Sequence, residues 1–459
     1  MWKSLVATGA LAAIVPTSAQ AASQPELEEI RAEIKQLKDS YESRIQALEQ
    51  RLKQAETKAD QAQSAAVKAE SAIAQAAAPP ASAPSAANAF NPAISLILSG
   101  AYANLQRDPQ SYRIGGFMPS GEGSGPGRRG FRLAESELAV NANIDPYFFG
   151  SLTLALTPEN TVSVEEAYFK TSALPNGFSI KGGRFFSGVG YLNEIHAHAW
   201  DFTDHPLAYQ AFLGKQYAQE GMQLKWLAPT DTFLEFGAET GNGSRFPGTE
   251  RNKNGSGSGA AFVHVGDDLG VSNSWRAGFS LLRHAPRERS FEDAINKFTD
   301  SFTGSSTLWI ADLIWKWAPN GNPSDTNFKL QGEYFRRKEQ GELTFDSAGA
   351  ALSDRYAATQ SGWYLQGVYQ FMPRWRAGLR YDRLDSGSMA LGAGLSGADF
   401  PSLAAYRPNR STLMFDYNPS EFSRIRLQFA RDQARPEVTD HQIVLQYLHS
   451  LGAHGGHKF

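Results

Sequence analysis

The sequence predicts an all-β transmembrane antiparallel barrel of about 16 strands, preceded by an α-helical coiled coil. Three observations support this fold class. Residues 91–459 alternate apolar and polar side chains with a period of two, as strands with one apolar face do. Beyond residue 21, no apolar run reaches the roughly 20 residues that a transmembrane helix needs, so membrane residence would require a closed barrel. Residues 27–73 instead space their apolar side chains as a coiled coil does.

The first residues have the organisation of a secretory signal peptide, which we assign to residues 1–21. Lys3 precedes the apolar stretch Leu5–Val15, and Ala19-Gln20-Ala21 supplies a cleavage site of small residues. The chain has a net charge of −3 and no cysteine. This composition excludes thiol catalysis, disulfides and cysteine-based zinc sites, and it gives no electrostatic reason to expect a nucleic-acid partner.

Residues 24–75 are predicted to form a periplasmic coiled coil. The apolar seam runs from Leu27 to Ile73 and thins to alanine toward its end. So narrow a stripe buries little surface in a single helix, and it therefore predicts self-association. Residues 76–90, which are rich in alanine, proline and serine, are predicted to link this helix to a barrel domain at residues 91–459.

The connections between the predicted strands alternate in length. Short turns such as Asp145-Pro146, Met372-Pro373 and Asn418-Pro419 alternate with mostly long polar insertions. An outer-membrane barrel shows this asymmetry because its periplasmic turns are short and its outer loops are long. An even strand number places both ends of the barrel in the periplasm, where the coiled coil also belongs. The predicted location is therefore the outer membrane of a Gram-negative bacterium.

The strand count and three stretches of sequence carry resemblances to known families. With about 16 strands, residues 91–459 are similar to the bacterial porins, and the coiled coil resembles the periplasmic extensions of sugar-specific and phosphate-selective porins. Three stretches stand out: FNPAISLILSGAYANL, GGRFFSGVGYLNEIHAHAWDF and SLGAHGGHKF. They resemble a family labelled zinc-regulated or TonB-dependent outer-membrane receptors, although the residues before Asn91 lack the length and pattern of a receptor plug. The porin resemblance implies a trimer and a third outer loop that folds inward.

The segment Ser187–Gly214 interrupts the strand pattern and would be this third outer loop. We expect it to narrow the lumen. An arginine on the lipid face of a barrel costs about 2–4 kcal/mol, so the arginines of the last strands should point into the lumen. The carboxylates of the loop are therefore predicted to face a basic wall. The predicted pore constriction comprises Glu194, Asp201, Asp204, Arg374, Arg376, Arg380, Arg410, Arg424 and Arg426.

Two interpretations of these charges stay open. In one, the arginines face the acidic loop across a water-filled gap and create a transverse field that orients dipolar solutes. In the other, arginines and neighbouring aspartates on the wall (Asp382, Asp416, Asp432) neutralise each other. Further lumen carboxylates are expected at Glu135, Glu137, Glu165 and Glu166. The sign of the ion preference stays open.

The loop also contains a metal-ligand pattern. His196, His198 and His205 lie within ten residues of one another, together with Asp201 and Asp204. Imidazole and carboxylate ligands suit zinc, copper or nickel, so a zinc station in the pore is one hypothesis. The other hypothesis, which the sequence favours, has no cofactor: these side chains hydrogen-bond to the wall and pin the loop, whose backbone groups need partners.

The predicted function is a porin that lets small hydrophilic solutes diffuse through a lumen narrowed by residues 187–214. One alternative is a zinc- or anion-selective uptake channel or receptor. Another is a structural barrel that tethers the outer membrane to peptidoglycan. No enzymatic activity is expected, because the chain has no GxSxG, HExxH or phosphate-loop motif. The expected partners are outer-membrane lipid and further copies of the chain.

Overall fold

The described part of the chain is mostly β-strand. The computed structural model describes residue 35 and residues 92–121, 124–158 and 161–452. The predictions that lie outside the described residues are the signal peptide (1–21), the coiled coil (24–75) apart from the helical Lys35, the linker (76–90) and the end of the chain (453–459). Among the described helices, none is both long and apolar enough to cross a membrane.

Sixteen antiparallel strands form one sheet that closes on itself. The strands are β1 Ala93–Leu105, β2 Gly130–Leu133 with Ser136–Asn143, β3 Phe148–Leu156, β4 Val162–Thr171, β5 Phe178–Phe186, β6 Ala218–Leu227, β7 Phe233–Gly241, β8 Ser258–Leu269, β9 Asn273–His284 with Arg289–Glu292, β10 Thr299–Trp317, β11 Asn327–Phe345, β12 Leu352–Met372, β13 Trp375–Asp385 with Met389–Leu391, β14 Asn409–Ser420, β15 Ser423–Gln433 and β16 Asp440–Gly452. β1 pairs with β16 from Ser95 opposite Gly452 to Leu105 opposite Gln442. The predicted sixteen-stranded antiparallel barrel is thus confirmed.

Side chains alternate between an apolar outer surface and a polar inner surface. In β14, Phe415 is 41% exposed on the outside, whereas Asp416 next to it is fully buried inside. In β13, Leu379 points outward and Arg380 points into the barrel. This alternation is what a barrel needs when lipid covers its outer surface.

The two ends of the barrel differ in the length of their connections. One end has the short turns 144–147, 172–177, 228–232, 270–272, 373–374 and 421–422 and the somewhat longer connection 318–326. The opposite end has the long connections 106–129, 187–217, 242–257 and 392–408, together with the shorter connections 157–161, 346–351 and 434–439. The predicted alternation of short turns and long insertions is therefore present in the fold.

The prediction that Arg374 lies on a strand and points into the lumen is wrong. Met372 pairs directly with Trp375, so Pro373 and Arg374 form a two-residue turn. Proline has no N–H for the ladder, and Arg374 adopts a left-handed φ of 72°, which closes the turn. The Arg374 side chain is exposed at the short-turn end and is not part of the lumen wall.

Candidate functional site

The connection between β5 and β6, residues 187–217, runs through the inside of the barrel; we call it the inward loop. Its backbone N–H groups reach Glu239 on β7, Glu333 on β11 and Gln428 on β15, which lie on widely separated parts of the wall. Its helical elements are 3₁₀ turns at Leu192–Glu194 and Ala197–Ala199 and the helix α1 at Leu207–Leu213. Gly214 ends α1 with a left-handed φ of 66°.

The helix α1 is buried on every side, since none of its seven residues is more than 3% exposed. Its apolar side chains pack against inward-facing wall residues that are themselves apolar: Leu308, Ile310, Phe335, Tyr364 and Leu384. The Phe212 ring stacks on Phe335 with centroids 5.8 Å apart, and Phe117 from the β1–β2 loop meets Phe212 edge-on at 5.5 Å. Apolar residues on an otherwise polar lumen wall therefore form the socket in which α1 docks.

Glu333 on β11 satisfies the backbone where the inward loop enters the lumen. Its carboxylate accepts hydrogen bonds from the N–H groups of Tyr191 and Leu192, both at 3.1 Å. It also accepts from the hydroxyl groups of Tyr209, at 2.9 Å, and Tyr364, at 2.6 Å. A wall side chain thus supplies the partners that the buried loop backbone requires.

Asn193 joins the two ends of the inward loop. Its amide nitrogen donates to the carbonyl groups of Ser187 and Tyr217, both at 2.8 Å, and its amide oxygen accepts from the N–H of Tyr217 at 2.7 Å. Asn193 is fully buried, so no water is available to replace these bonds. We call this arrangement the asparagine latch.

We expect Asn193→Ala to lower the free energy of unfolding by about 1–3 kcal/mol, because it leaves a buried N–H of Tyr217 without a partner. Urea unfolding of the folded barrel measures the change. The matched control is Asn418→Ala, which removes only an exposed 3.4 Å hydrogen bond to the carbonyl of Arg374 and should change stability by about 0.5 kcal/mol or less. Equal losses in the two variants would contradict the latch.

Asp204 is held by two arginines of the wall. Its carboxylate lies 3.0 Å from Arg380 and 2.7 Å from Arg410. The same arginines donate to the carbonyl groups of Asp204 and His205, at 2.8 and 2.6 Å. Burial alone would raise the pKa of Asp204, but the two guanidinium groups hold this pKa below its usual range. The contribution of this contact to stability is therefore present above the usual carboxyl pKa and is lost only as the pH falls through the lowered value.

Asp201 and the backbone beside it meet the next arginines along the wall. Asp201 pairs with Arg376 at 3.3 Å and also contacts Lys329. Arg426 donates to the carbonyl of Trp200 at 2.9 Å, and Arg424 donates to the carbonyl of His198 at 2.7 Å. The predicted arginines other than Arg374 thus bind the inward loop.

Of the two interpretations of these charges, the water-filled gap between the arginines and the acidic loop does not fit the contacts of Arg380 and Arg426. The side chains of Arg380 and Arg426 are only 1% exposed, because both contact the loop directly. Wall aspartates neutralise them as well: Asp382 lies 3.0 Å from Arg380 and Asp416 lies 2.7 Å from Arg426. Among the described residues, Glu194 pairs with lysines rather than with these arginines.

Glu194 meets two lysines instead of the arginine wall. Its carboxylate lies 3.8 Å from Lys181 on β5 and 3.6 Å from Lys225 on β6. The reason is its place in the first 3₁₀ turn, close to where the inward loop leaves β5. The nine predicted constriction residues therefore separate into three groups: Glu194, Arg374, and the seven that join the loop to β13–β15.

A second cluster lies where the inward loop meets β2 and β4. A β-bulge in β4 leaves Glu165 without an opposite residue on β3, so that Glu165 and Glu166 both contact the loop. His196 Nδ1 lies 3.2 Å from Glu137 and 3.3 Å from Glu165, and its Nε2 lies 3.0 Å from Glu166. Burial alone would lower the pKa of His196, but the three carboxylates raise this pKa well above its usual range.

The remaining predicted metal ligands do not all join this cluster. His198 Nδ1 lies 3.0 Å from Glu137, so His198 is part of it. His205 packs its ring against Trp200, with centroids 3.7 Å apart, and its carbonyl group binds Arg410. Burial, followed by the nearby cations, lowers the pKa of His205 well below its usual range. His205 therefore belongs to the arginine side of the loop.

A cavity of about 760 Å³ occupies the lumen on the short-turn side of the inward loop. Its lining includes Glu137, Glu166, His196 and Asp201, together with the turn at 270–272. Charged side chains of both signs thus face the cavity, and the inward loop forms its inner boundary.

A closed barrel with an apolar exterior, a charged interior and one inward loop has the architecture of outer-membrane barrels. The chain belongs to the same family as an uncharacterized protein of Aquifex aeolicus (strain VF5), to which it is 31% identical over 406 residues, covering 82% of this chain and 81% of that protein. No family model matches the chain.

Solved outer-membrane proteins also resemble the chain, at low identity. A loop-deletion mutant of OmpT from Vibrio cholerae is 12% identical with a TM-score of 0.49, covering 79% of this chain and 99% of that chain. The channel DcaP of Acinetobacter baumannii is 11% identical with a TM-score of 0.45, covering 79% and 97%. The anion-selective porin from Comamonas acidovorans is 11% identical with a TM-score of 0.46, covering 79% and 99%. The barrel of this chain is established by its own strand pairing.

Proposed function

We propose that the chain is an outer-membrane porin of a Gram-negative bacterium, in which small hydrophilic solutes diffuse through a lumen narrowed by the inward loop. The observation that carries this proposal is the closed sheet with an apolar outer surface and a charged interior that one loop crosses. Such a barrel meets lipid on the outside and solvated ions on the inside. The short turns then lie in the periplasm. Transport of this kind involves no bond chemistry, so no enzymatic activity is proposed.

The solute path is proposed to follow β2–β5, on the side of the inward loop that carries His196 and Lys215. The Lys215 side chain is 36% exposed and that of His196 is 21% exposed. The arginines of β13–β15 that bind Asp204 are instead almost completely buried against the loop. Lys215 is thus the most exposed of these side chains, which favours a path on the β2–β5 side, whereas Asp204 and Arg376, at 21% and 22%, are about as exposed as His196. The carboxylates on this side are those of Glu135, Glu137, Glu165 and Glu166.

We expect the channel to prefer cations, because four carboxylates face two lysines, Lys181 and Lys215, on the proposed path. The reversal potential of single channels in a KCl gradient measures this preference. Glu135→Gln should reduce it by removing one of these charges. The matched control, Glu250→Gln, changes an exposed residue in the β7–β8 loop and should leave the reversal potential unchanged.

The same recording tests the class of protein. Conductance steps in groups of three would agree with the trimer that the porin resemblance implies. A preference for anions would contradict the predicted selectivity and favour an anion-selective channel. Equal effects of Glu135→Gln and Glu250→Gln would contradict the proposed path.

A structural barrel is the second candidate function, and one observation favours it. The helix α1 is buried on all sides by the lumen wall and the β1–β2 loop, so the inward loop fills much of the lumen. A barrel sealed in this way would act as an outer-membrane anchor for residues 24–75, which could then reach toward peptidoglycan. Membranes that contain folded protein but show no conductance steps would support the anchor and reject the porin.

A further inference from the structure

We propose that the junction of the inward loop with β2 and β4 binds a divalent transition-metal ion such as Zn²⁺. Glu137, Glu165 and His196 each offer one ligand atom, and these three atoms lie within 4.8 Å of one another. They come from three different segments: β2, the bulge of β4 and the inward loop. Such a site would exist whether or not the lumen conducts.

The distances between the ligand atoms fit a tetrahedral ion. Two ligands bound at about 2.0–2.1 Å from zinc, at the tetrahedral angle, are separated by about 3.3 Å. His196 Nδ1 lies 3.2 Å from Glu137 Oε2 and 3.3 Å from Glu165 Oε2. The two carboxylate oxygens lie within 4.8 Å of each other, so a carboxylate rotation brings all three atoms to one ion. One imidazole with two carboxylates is a ligand set that zinc accepts.

The second nitrogen of His196 is already oriented as in many metal sites. A metal-bound histidine usually donates its other ring N–H to a carboxylate, which fixes the tautomer and the ring. His196 Nε2 lies 3.0 Å from Glu166 Oε2, and Glu166 Oε1 accepts the N–H of Phe186 at 3.0 Å. Glu166 thus acts as a positioning residue that points Nδ1 of His196 at Glu137 and Glu165.

The cluster also contains a buried carboxylate oxygen without a hydrogen-bond partner among the described residues. Glu137 is only 2% exposed, and its Oε1 has no hydrogen-bond partner although it is buried. Lys215 pairs with Glu135 at 2.6 Å, and Glu137, Glu165 and Glu166 share the imidazoles of His196 and His198 and the nearby Lys181. Buried carboxylates need a compensating charge, which a divalent cation would supply.

An ion can reach the site from the lumen cavity. Glu137, Glu166, His196 and His198 all line this cavity of about 760 Å³. Three protein ligands leave one of four tetrahedral positions for a water molecule from the cavity. A bound ion would join the inward loop to two strands and so hold the loop on the β2–β4 side.

The test uses the purified full chain, folded in detergent, and Zn²⁺ alone as the probe. Isothermal titration with a competing chelator should give one bound ion per chain. Glu165→Gln and His196→Ala should each weaken binding at least about tenfold, and Glu166→Gln should weaken it by about 10- to 100-fold through the orientation of His196. X-ray absorption of the zinc-loaded protein should show nitrogen and oxygen ligands at about 2.0–2.1 Å with imidazole scattering.

Two controls separate this site from other sources of binding. The first control, Glu235→Gln, removes a wall carboxylate that lies 3.1 Å from His264. Glu235 belongs to no three-ligand group among the described residues, so this change should leave zinc affinity unchanged. The second control, His454→Ala with His457→Ala, tests the end of the chain and should likewise leave zinc affinity unchanged.

Absence of zinc binding in the wild type would overturn the proposal. Binding that survives Glu165→Gln and His196→Ala but is lost in the His454 and His457 variant would overturn it as well. Heat-modified mobility in gels confirms that each variant is folded.

Discussion

Replacing residues 192–213 with a short Gly-Ser linker is expected to raise single-channel conductance about fivefold or more, because a barrel of 16 strands without an inward loop encloses an aqueous channel. The exchange removes α1 and the aspartates that bind the wall arginines, while it leaves β5 and β6 intact. The reversal potential should also move toward anions. Arg376, Arg380 and Arg410 would lose the carboxylates of Asp201 and Asp204, which makes the lumen more positive. Arg424 and Arg426 would lose the loop carbonyl groups of His198 and Trp200.

The control for this exchange is deletion of residues 252–255, an exposed part of the β7–β8 loop that should not affect the lumen. Both proteins are checked for heat-modified mobility before recording. If the exchange leaves conductance unchanged while the barrel is folded, the inward loop does not limit the path, and the proposed constriction fails. If the wild type is silent and the exchanged protein conducts, the loop seals the lumen and the anchor is favoured.

Asp416→Asn is expected to lower the free energy of unfolding by about 3–5 kcal/mol, the cost of leaving a buried charge without its partner. The carboxylate of Asp416 accepts two hydrogen bonds from Arg426, at 2.7 and 2.9 Å, and one from Arg376 at 2.5 Å. The side chains of Asp416 and Arg426 are almost completely buried, so water cannot replace the lost charge. Urea unfolding followed by tryptophan fluorescence measures the effect.

The matched control is Asp385→Asn, which makes the same chemical change in an exposed pair, 3.0 Å from Arg407. Its effect should be about 1 kcal/mol or less, because solvent screens exposed ion pairs. A double variant, Asp416→Asn with Arg426→Gln, should recover part of the loss, since it removes the unpaired charge. Equal losses in the two single variants, with no recovery in the double variant, would show that the buried pair does not stabilise the barrel.

Much of the barrel could be predicted from the sequence because strand periodicity is a local property. Alternation with a period of two assigns each residue to the inside or the outside of the wall, which is why Arg380 and Arg426 were expected inside, where the structure has them. The exception, Arg374, follows from turn geometry: a proline and a left-handed φ removed two residues from the expected strand.

The contacts of the inward loop could not be predicted in the same way. Asp204 meets Arg380 and Arg410, which are more than 170 residues away in the chain, and this choice depends on the register of every strand between them. The role of Glu333 could not be predicted from the sequence, because several other inward residues of β11 are also polar. The one available signal was the apolar inward residues, such as Leu308 and Phe335, which interrupt a polar lumen face where α1 docks.

The histidines of the inward loop show most clearly which features could be predicted from the sequence and which could not. The sequence by itself determined that residues 91–459 supply strands with one apolar face and that His196, His198 and His205 lie in one long connection, because both follow from residue order. Only the tertiary structure decided that His196 meets Glu137, Glu165 and Glu166 while His205 turns to the arginine side. The physical reason is that a bulge in β4 and closure of the sheet set which wall carboxylates the loop reaches, and neither can be read from local periodicity.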